Sequence, residues 1–158
     1  MQISDTIIWQ GENYYINCGS LDFHKCFPEV QLPSFDFIST ACWRRYIATW
    51  IIDIDGWLKL ARIGTGLQEV DLPNGNRDFH MGAIDQLYNI FPNQEGPVAA
   101  FGFTGDITVG YGADVHRHGY LRSYPNYKVF SILNGKIAKL VEHDRAWWLA
   151  DKGDFING

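Results

Sequence analysis

The sequence predicts an α+β fold that is mostly β: an antiparallel, hairpin-rich sheet curled into a barrel or sandwich, with one or two short helices. Three observations lead there. The 158 residues include six Trp, eight Tyr and ten Phe, and flat rings pack well on a pleated surface. The clearest patterns alternate with period two, the mark of a strand with one buried face. Turn signals cut the chain into short runs, two of which have hairpin form.

Each element follows from its own residues. Thr6-Ile7-Ile8-Trp9 and Tyr14-Tyr15-Ile16 flank a Gly-containing turn, Gln10-Gly11-Glu12-Asn13. Residues 20–36, broken by Pro28 and Pro33, show no clear period and read as a surface loop. Residues 43–53 alternate strongly, with Tyr46, Ala48, Trp50, Ile52 and Ile54 on an apolar face that should meet the core. Asp55-Gly56 supplies a tight turn, and residues 57–63 return from it. Gly64-Thr65-Gly66 and Pro73-Asn74-Gly75-Asn76 read as turns or loops. Apolar residues at 84, 87, 88 and 91 have helical spacing, and Pro92 ends that run. Residues 97–103 form an extended apolar stretch, and Asp106-Ile107-Thr108-Val109 alternates. Residues 127–133, Asn134-Gly135 and residues 136–141 make a second clear hairpin, because Asn-Gly favours the positive φ angles that such a turn requires. Trp147-Trp148-Leu149 suits a tail that docks back on the body. Eight to ten short strands are expected in all.

Size and composition place these elements in one domain, residues 1–158. A chain of this length buries roughly 70% of its unfolded surface, enough for a core without staples. Three cysteines, Cys18, Cys26 and Cys42, are too few and too odd in number for a disulfide scaffold. The start, Met1-Gln2-Ile3-Ser4-Asp5, has no basic region, and no apolar run approaches the ~20 residues that span a bilayer. A cytoplasmic protein is expected, with no membrane partner and no implied cofactor.

Charge is uneven. Residues 1–115 carry six Lys/Arg against fourteen Asp/Glu, a net of −8. Residues 116–152 carry seven against three, a net of +4. The acidic body disfavours nucleic acid, whose phosphates would be repelled, and suits a basic protein partner. Asp22, Glu29 and Asp36, in the loop-like stretch, are the preferred contacts.

The candidate chemistry is sparse. His116 and His118 are two apart, so a strand would turn both imidazoles to one side, and Asp114 shares their face. They are the candidate ligands for a metal-dependent hydrolase or nuclease, although the set lacks a full complement of donors. The three cysteines and His24 do not have zinc-finger spacing and read as buried thiols and a lone histidine. Gly102-Phe103-Thr104-Gly105 and Gly110-Tyr111-Gly112 have strands on both sides, so they read as turns or bulges rather than a phosphate cradle. A third possibility is a small-molecule or peptide-binding barrel whose mouth is walled by Trp43, Trp50, Trp57 and Phe103.

Residues 39–52, Ser-Thr-Ala-Cys-Trp-Arg-Arg-Tyr-Ile-Ala-Thr-Trp-Ile-Ile, resemble the WRGYxATWEI-type hairpin signature of a small bacterial protein family of unassigned activity. Phe103-Thr104-Gly105-Asp106-Ile107 and residues 115–120 resemble that family's later FTGxLRIPxGK…YVHxGY block, and Leu133-Asn134-Gly135 its closing turn. The likeness spans about two-thirds of the chain and fits the hairpins read above. Three departures stand out: Arg45 where the family has Gly, Ile107-Thr108-Val109-Gly110-Tyr111 in place of LRIPxGK, and one residue inserted before Gly119. Members resemble small proteins encoded beside polymorphic toxins in bacterial competition loci. The resemblance therefore implies a non-enzymatic immunity protein that neutralises a cognate toxin domain by binding it.

Overall fold

The computed structural model describes residues 5–16, 21–33, 46–118 and 121–157; within these, residues 67–70, 78–83 and 152–157 are described by backbone alone. The chain is mostly β. Eleven strands run in the order β1 (Thr6–Trp9), β2 (Glu12–Ile16), β3 (Ile47–Ile52), β4 (Leu58–Asp71), β5 (Arg77–Asp85), β6 (Val98–Ala99), β7 (Gly105–Tyr111), β8 (His116–His118), β9 (Leu121–Ser123), β10 (Asn126–Leu133) and β11 (Lys136–Asp144). Three helices interrupt them: α1 (Phe23–Cys26), α2 (Leu87–Ile90) and α3 (Arg145–Asn157).

Nine strands form one sheet in the order β11-β10-β7-β2-β1-β3-β4-β5, with β6 paired to β4, and β8-β9 is a separate two-stranded ribbon. Both predicted hairpins are present. Ile52 pairs with Leu58 across the Asp55-Gly56 turn, and Leu133 pairs with Lys136 across Asn134-Gly135. The Pro73–Asn76 turn is likewise in place, joining β4 to β5. One pair departs from the antiparallel rule. β1 and β3 run parallel, because the chain leaves β2 on one side of β1 and crosses over, through α1, to the other.

Period two holds on the strand that carried the strongest signal. Ala48, Trp50 and Ile52 are buried in the main core with Ile7, Ile16, Leu58, Leu60, Ile63, Ile107, Val109 and Phe130. Ile54 is the exception. Sequence alternation assigns it to the core, but the strand ends at Ile52 and Ile54 stands fully in solvent at the turn.

Four further expectations are corrected. Residues 20–36 are not simply a surface loop: Phe23, Cys26 and Phe27 are buried. Asp22 starts α1 by accepting the His24 N–H at 2.7 Å, and the i, i+3, i+4 spacing then turns those three residues onto one side. There Phe27 stacks on Trp50 at 6.3 Å and meets Phe91 at 5.0 Å. Gly64-Thr65-Gly66 is no turn but part of β4, with a bulge at Gly66, whose φ is +72° and where the register to β5 slips. The helical spacing at 84–91 yields helix only at Leu87–Ile90, since Ile84 and Asp85 remain paired in β5. The strands number eleven among the described residues, and β4 is fourteen residues long rather than short.

The sheet rolls but does not close into a barrel. At one end the edge strand β11 touches the start of β4 through one isolated bridge, Trp57 to Lys136. A second, smaller apolar cluster of Tyr124, Tyr127 and Trp148 lies where α3 docks, with Leu121 and Leu149 packed on it. The expected docking of the tail is thus seen, as a helix whose Trp148 ring lies parallel to Tyr127 at 5.8 Å.

Candidate functional site

The bridged end is built from three tight turns and the α1 segment. The β3–β4 turn is organised by Asp53. Its carboxylate accepts the N–H groups of Asp55 at 3.0 Å and Trp57 at 2.9 Å and meets Lys59 Nζ at 2.8 Å. These partners decide its titration. Burial opposes the charge, but the hydrogen bonds from Lys59, Trp57 and Asp55 outweigh it and hold the carboxyl below the usual range. The β10–β11 turn has φ of +49° at Asn134 and +82° at Gly135, the paired positive angles of a type I′ hairpin.

Main-chain hydrogen bonds stitch these turns together. Leu58 N–H donates to Gly135 C=O at 2.7 Å, and Ile137 N–H to Gly56 C=O at 2.8 Å. The segment after β6 joins them: Ala100 N–H donates to Leu58 C=O at 2.9 Å, and Gly135 N–H to Phe103 C=O at 2.8 Å. Asn134 N–H donates to Thr104 Oγ1 at 2.9 Å. Gly102 in turn lets the α1 segment close on this loop; a Cβ there would stand 3.1 Å from Cys26 C=O and 3.3 Å from the Pro28 ring.

This scaffold is closely hydrogen-bonded, yet it turns apolar side chains outward. Ile54, Phe101 and Leu133 are 101%, 63% and 57% exposed. Trp57, half-buried, packs beside one of them: its ring meets Phe101 edge-on at 5.4 Å, and Lys136, the cross-strand partner of Leu133, lays its ammonium 5.3 Å above it. Solvent-facing turns are ordinarily polar, so an apolar residue at each of three joined tips marks a surface suited to contact. Acidic groups stand on the adjoining segments, with Asp55 in the first turn and Asp22 and Glu29, both exposed, on either side of α1; Lys25 is a countercharge on that stretch. Of the contacts expected from sequence, Asp22 and Glu29 are exposed on either side of α1, and part of Asp22 is spent on capping that helix. Asp36 lies outside the described residues, as do Cys18, Trp43 and Cys42. Sequence reasoning missed Ile54, Phe101 and Leu133; the available signal was their position beside or within turn sequences.

The histidine pair sits elsewhere. Asp114 and His116 do come together, Oδ1 to Nε2 at 3.2 Å, but their third partner is a cation: Arg145 Nη1 lies 3.3 Å from Asp114 Oδ2 and 3.4 Å from His116 Nε2. Arg145 also donates to the main-chain oxygens of Asp114 and Ser123. The Arg145 hydrogen bond and the His116 charge hold the Asp114 carboxyl below its usual range. His118 has a different partner, Ser123 Oγ at 3.1 Å. Among the described residues no three His, Cys, Asp or Glu side chains gather as a metal-ligand set. Arg145 occupies the place where a third ligand would need to stand. Of the proposed barrel mouth, Trp50 and Phe103 are buried core residues rather than cavity walls.

No family model matches the chain, and none of the curated proteins or solved structures is similar to it at a significant level.

Proposed function

We propose that this is a non-enzymatic binding protein, a bacterial immunity protein that neutralises a cognate toxin in the cytoplasm by seating its bridged end on a basic toxin domain. One observation carries the reading: the exposure of Ile54, Phe101 and Leu133 on or beside turns joined by main-chain hydrogen bonds. Interfaces draw their energy from a few large apolar anchors held in place before binding. Asp22, Glu29 and Asp55 form the polar rim, where charge mainly guides encounter and choice of partner. Asp36 is the further contact on the same stretch of sequence. We read the rolled sheet as an unclosed barrel whose open end is sealed by these turns, which makes the tips its most rigid surface.

The test is co-expression with the toxin genes that neighbour its own, scored by growth rescue and co-purification. The wild type rescues and co-purifies. The double variant Phe101→Ser/Leu133→Ser removes two exposed anchors and leaves the core untouched. Loss of one hot-spot residue costs about 2 kcal/mol or more, roughly thirtyfold in affinity. Its urea midpoint stays near wild type while rescue is lost. Absence of any rescue and of any captured toxin by the wild type would sink the reading.

A further inference from the structure

The opposite end of the β10–β11 hairpin carries a second surface, of opposite charge. It lies roughly 23 Å from the bridged end, seven residue steps of ~3.3 Å along β10. There the β8–β9 ribbon registers His116 with Ser123, Arg117 with Arg122, and His118 with Leu121. Of the outer pairs, Ser123 and, in part, Leu121 and His118 turn inward, whereas His116 stays exposed beside Asp114. Ser123 is fully buried, Leu121 packs against the Tyr124, Tyr127 and Trp148 cluster, and Arg145 ties the ribbon down through the main-chain oxygens of Asp114 and Ser123. The central pair, Arg117 and Arg122, faces solvent, and both side chains are exposed.

Two guanidinium groups directly opposed across a ladder repel each other, and their Cβ atoms stand only ~4.5–5.5 Å apart. Among the described residues no carboxylate is paired with either one. The ribbon beneath them is held by packing at Leu121 and Ser123 and by Arg145, so their Cβ positions stay close while the guanidinium groups are free to turn toward a shared anion. We propose that the Arg117–Arg122 pair is a binding site for a phosphate monoester, clamped between the two guanidinium forks. A monoester near neutral pH carries a charge close to −2 and three terminal oxygens, enough to accept from both forks at once and to cancel both charges. A carboxylate or a phosphodiester carries one charge and leaves one arginine uncompensated. Arginine is suited to the task because its planar donors match oxyanion geometry in pairs. The surface is independent of the bridged end, so this site stands or falls separately from the toxin-binding reading.

The test is an NMR titration of the full chain, following the arginine Nε–Hε signals at pH 7.5 and constant ionic strength. The probes are inorganic phosphate, glycerol phosphate and an oligothymidylate lacking terminal phosphates. Both phosphate monoanion–dianion probes shift the Arg117 and Arg122 signals with saturation. Arg117→Gln and Arg122→Gln each weaken binding at least tenfold, whereas Lys139→Gln, an exposed cation on another strand, changes it less than twofold. Unfolding midpoints of the variants do not fall below wild type, since both side chains are in solvent and each substitution removes a like-charge contact. Linear, unsaturated shifts with every probe overturn the site. Equal or tighter binding of the oligothymidylate, counted per phosphate, overturns the assignment to a monoester.

Discussion

Gly135→Ala tests how rigidly the three turns are joined. Gly135 has φ of +82°, and an added Cβ would stand 2.6 Å from the Ala100 carbonyl oxygen and 3.0 Å from Phe101 Cα. The positive φ alone costs an alanine about 1–2 kcal/mol. The contact adds to this, because both neighbours are backbone and cannot rotate aside. Relief requires the turn to retreat, which lengthens the bonds from Leu58 N–H to Gly135 C=O and from Gly135 N–H to Phe103 C=O. Losing two such bonds costs about 1–3 kcal/mol net, so the total is about 2–5 kcal/mol. Gly75→Ala is the matched control. Its φ is +85°, in the β4–β5 turn, and nothing lies within 4 Å of the added Cβ; it should lose only the conformational ~1–2 kcal/mol. The assay is urea unfolding. With an m value of about 2 kcal/mol/M, the midpoint falls by roughly 1–2.5 M for Gly135→Ala and by 0.5–1 M for Gly75→Ala. If Gly135→Ala falls no further than Gly75→Ala at unchanged m, the turns are not locked, and the preorganised surface built on them is wrong.

Two other expectations follow from titrating groups. Asp53 has its folded pKa depressed, so its stabilisation is present above the unfolded value near ~3.9 and is lost as pH falls through the folded value. The drop in urea midpoint between pH 6 and pH 3 is therefore smaller in Asp53→Asn than in wild type, and equal drops would refute the role given to that carboxylate. The Cys26 thiol is pushed up to about 12 by burial and, to a lesser degree, by the Asp22 charge. Alkylation at pH 8, read residue by residue by mass spectrometry, leaves Cys26 unmodified until urea is added; labelling at the rate of a free thiol would contradict its buried position.

The hairpins were legible in the sequence because their causes are local. Asp55-Gly56 and Asn134-Gly135 fix the turns, and the residues beside them alternate strictly. Other features depend on partners far away in the chain. A four-residue α1 has almost no helical propensity to display, and Phe23 and Phe27 become core only because Trp50 and Phe91 meet them. Gly64-Thr65-Gly66 has the composition of a turn, and only its pairing with Ile84 and Asp85 makes it a bulged strand. Parallel pairing of β1 with β3 leaves no mark on either segment. The candidate surface was hidden for a related reason. Continuing the alternation one step past Ile52 places Ile54 in the core, whereas the chain has already turned. Nothing local distinguishes an apolar residue that faces inward from one carried on a tip, as Phe101 and Leu133 are.

Strand β10 explains how one small sheet supports two unlike surfaces. Its inner face carries Phe130 and Ile132 into the main core, and its outer face carries Tyr127 into the smaller cluster under α3. Neighbours 127 and 128 are both buried, so alternation fails only where the strand is covered on both sides. Lys128 marks the edge of the inner core. Its ammonium lies 3.9 Å from the Tyr111 ring centroid and 5.3 Å from that of Tyr14, and 2.9 Å from Glu142. Burial disfavours its charge, yet the hydrogen bonds to Tyr111 and Glu142 outweigh that and raise its pKa. A lysine so held ends the apolar core with its charge paired, and beyond it the outer cluster supports the ribbon. The bridged end rests on the first cluster and the arginine pair on the second. Two sites with separate supports and roughly 23 Å between them contribute independently to stability, so each surface can change without cost to the other.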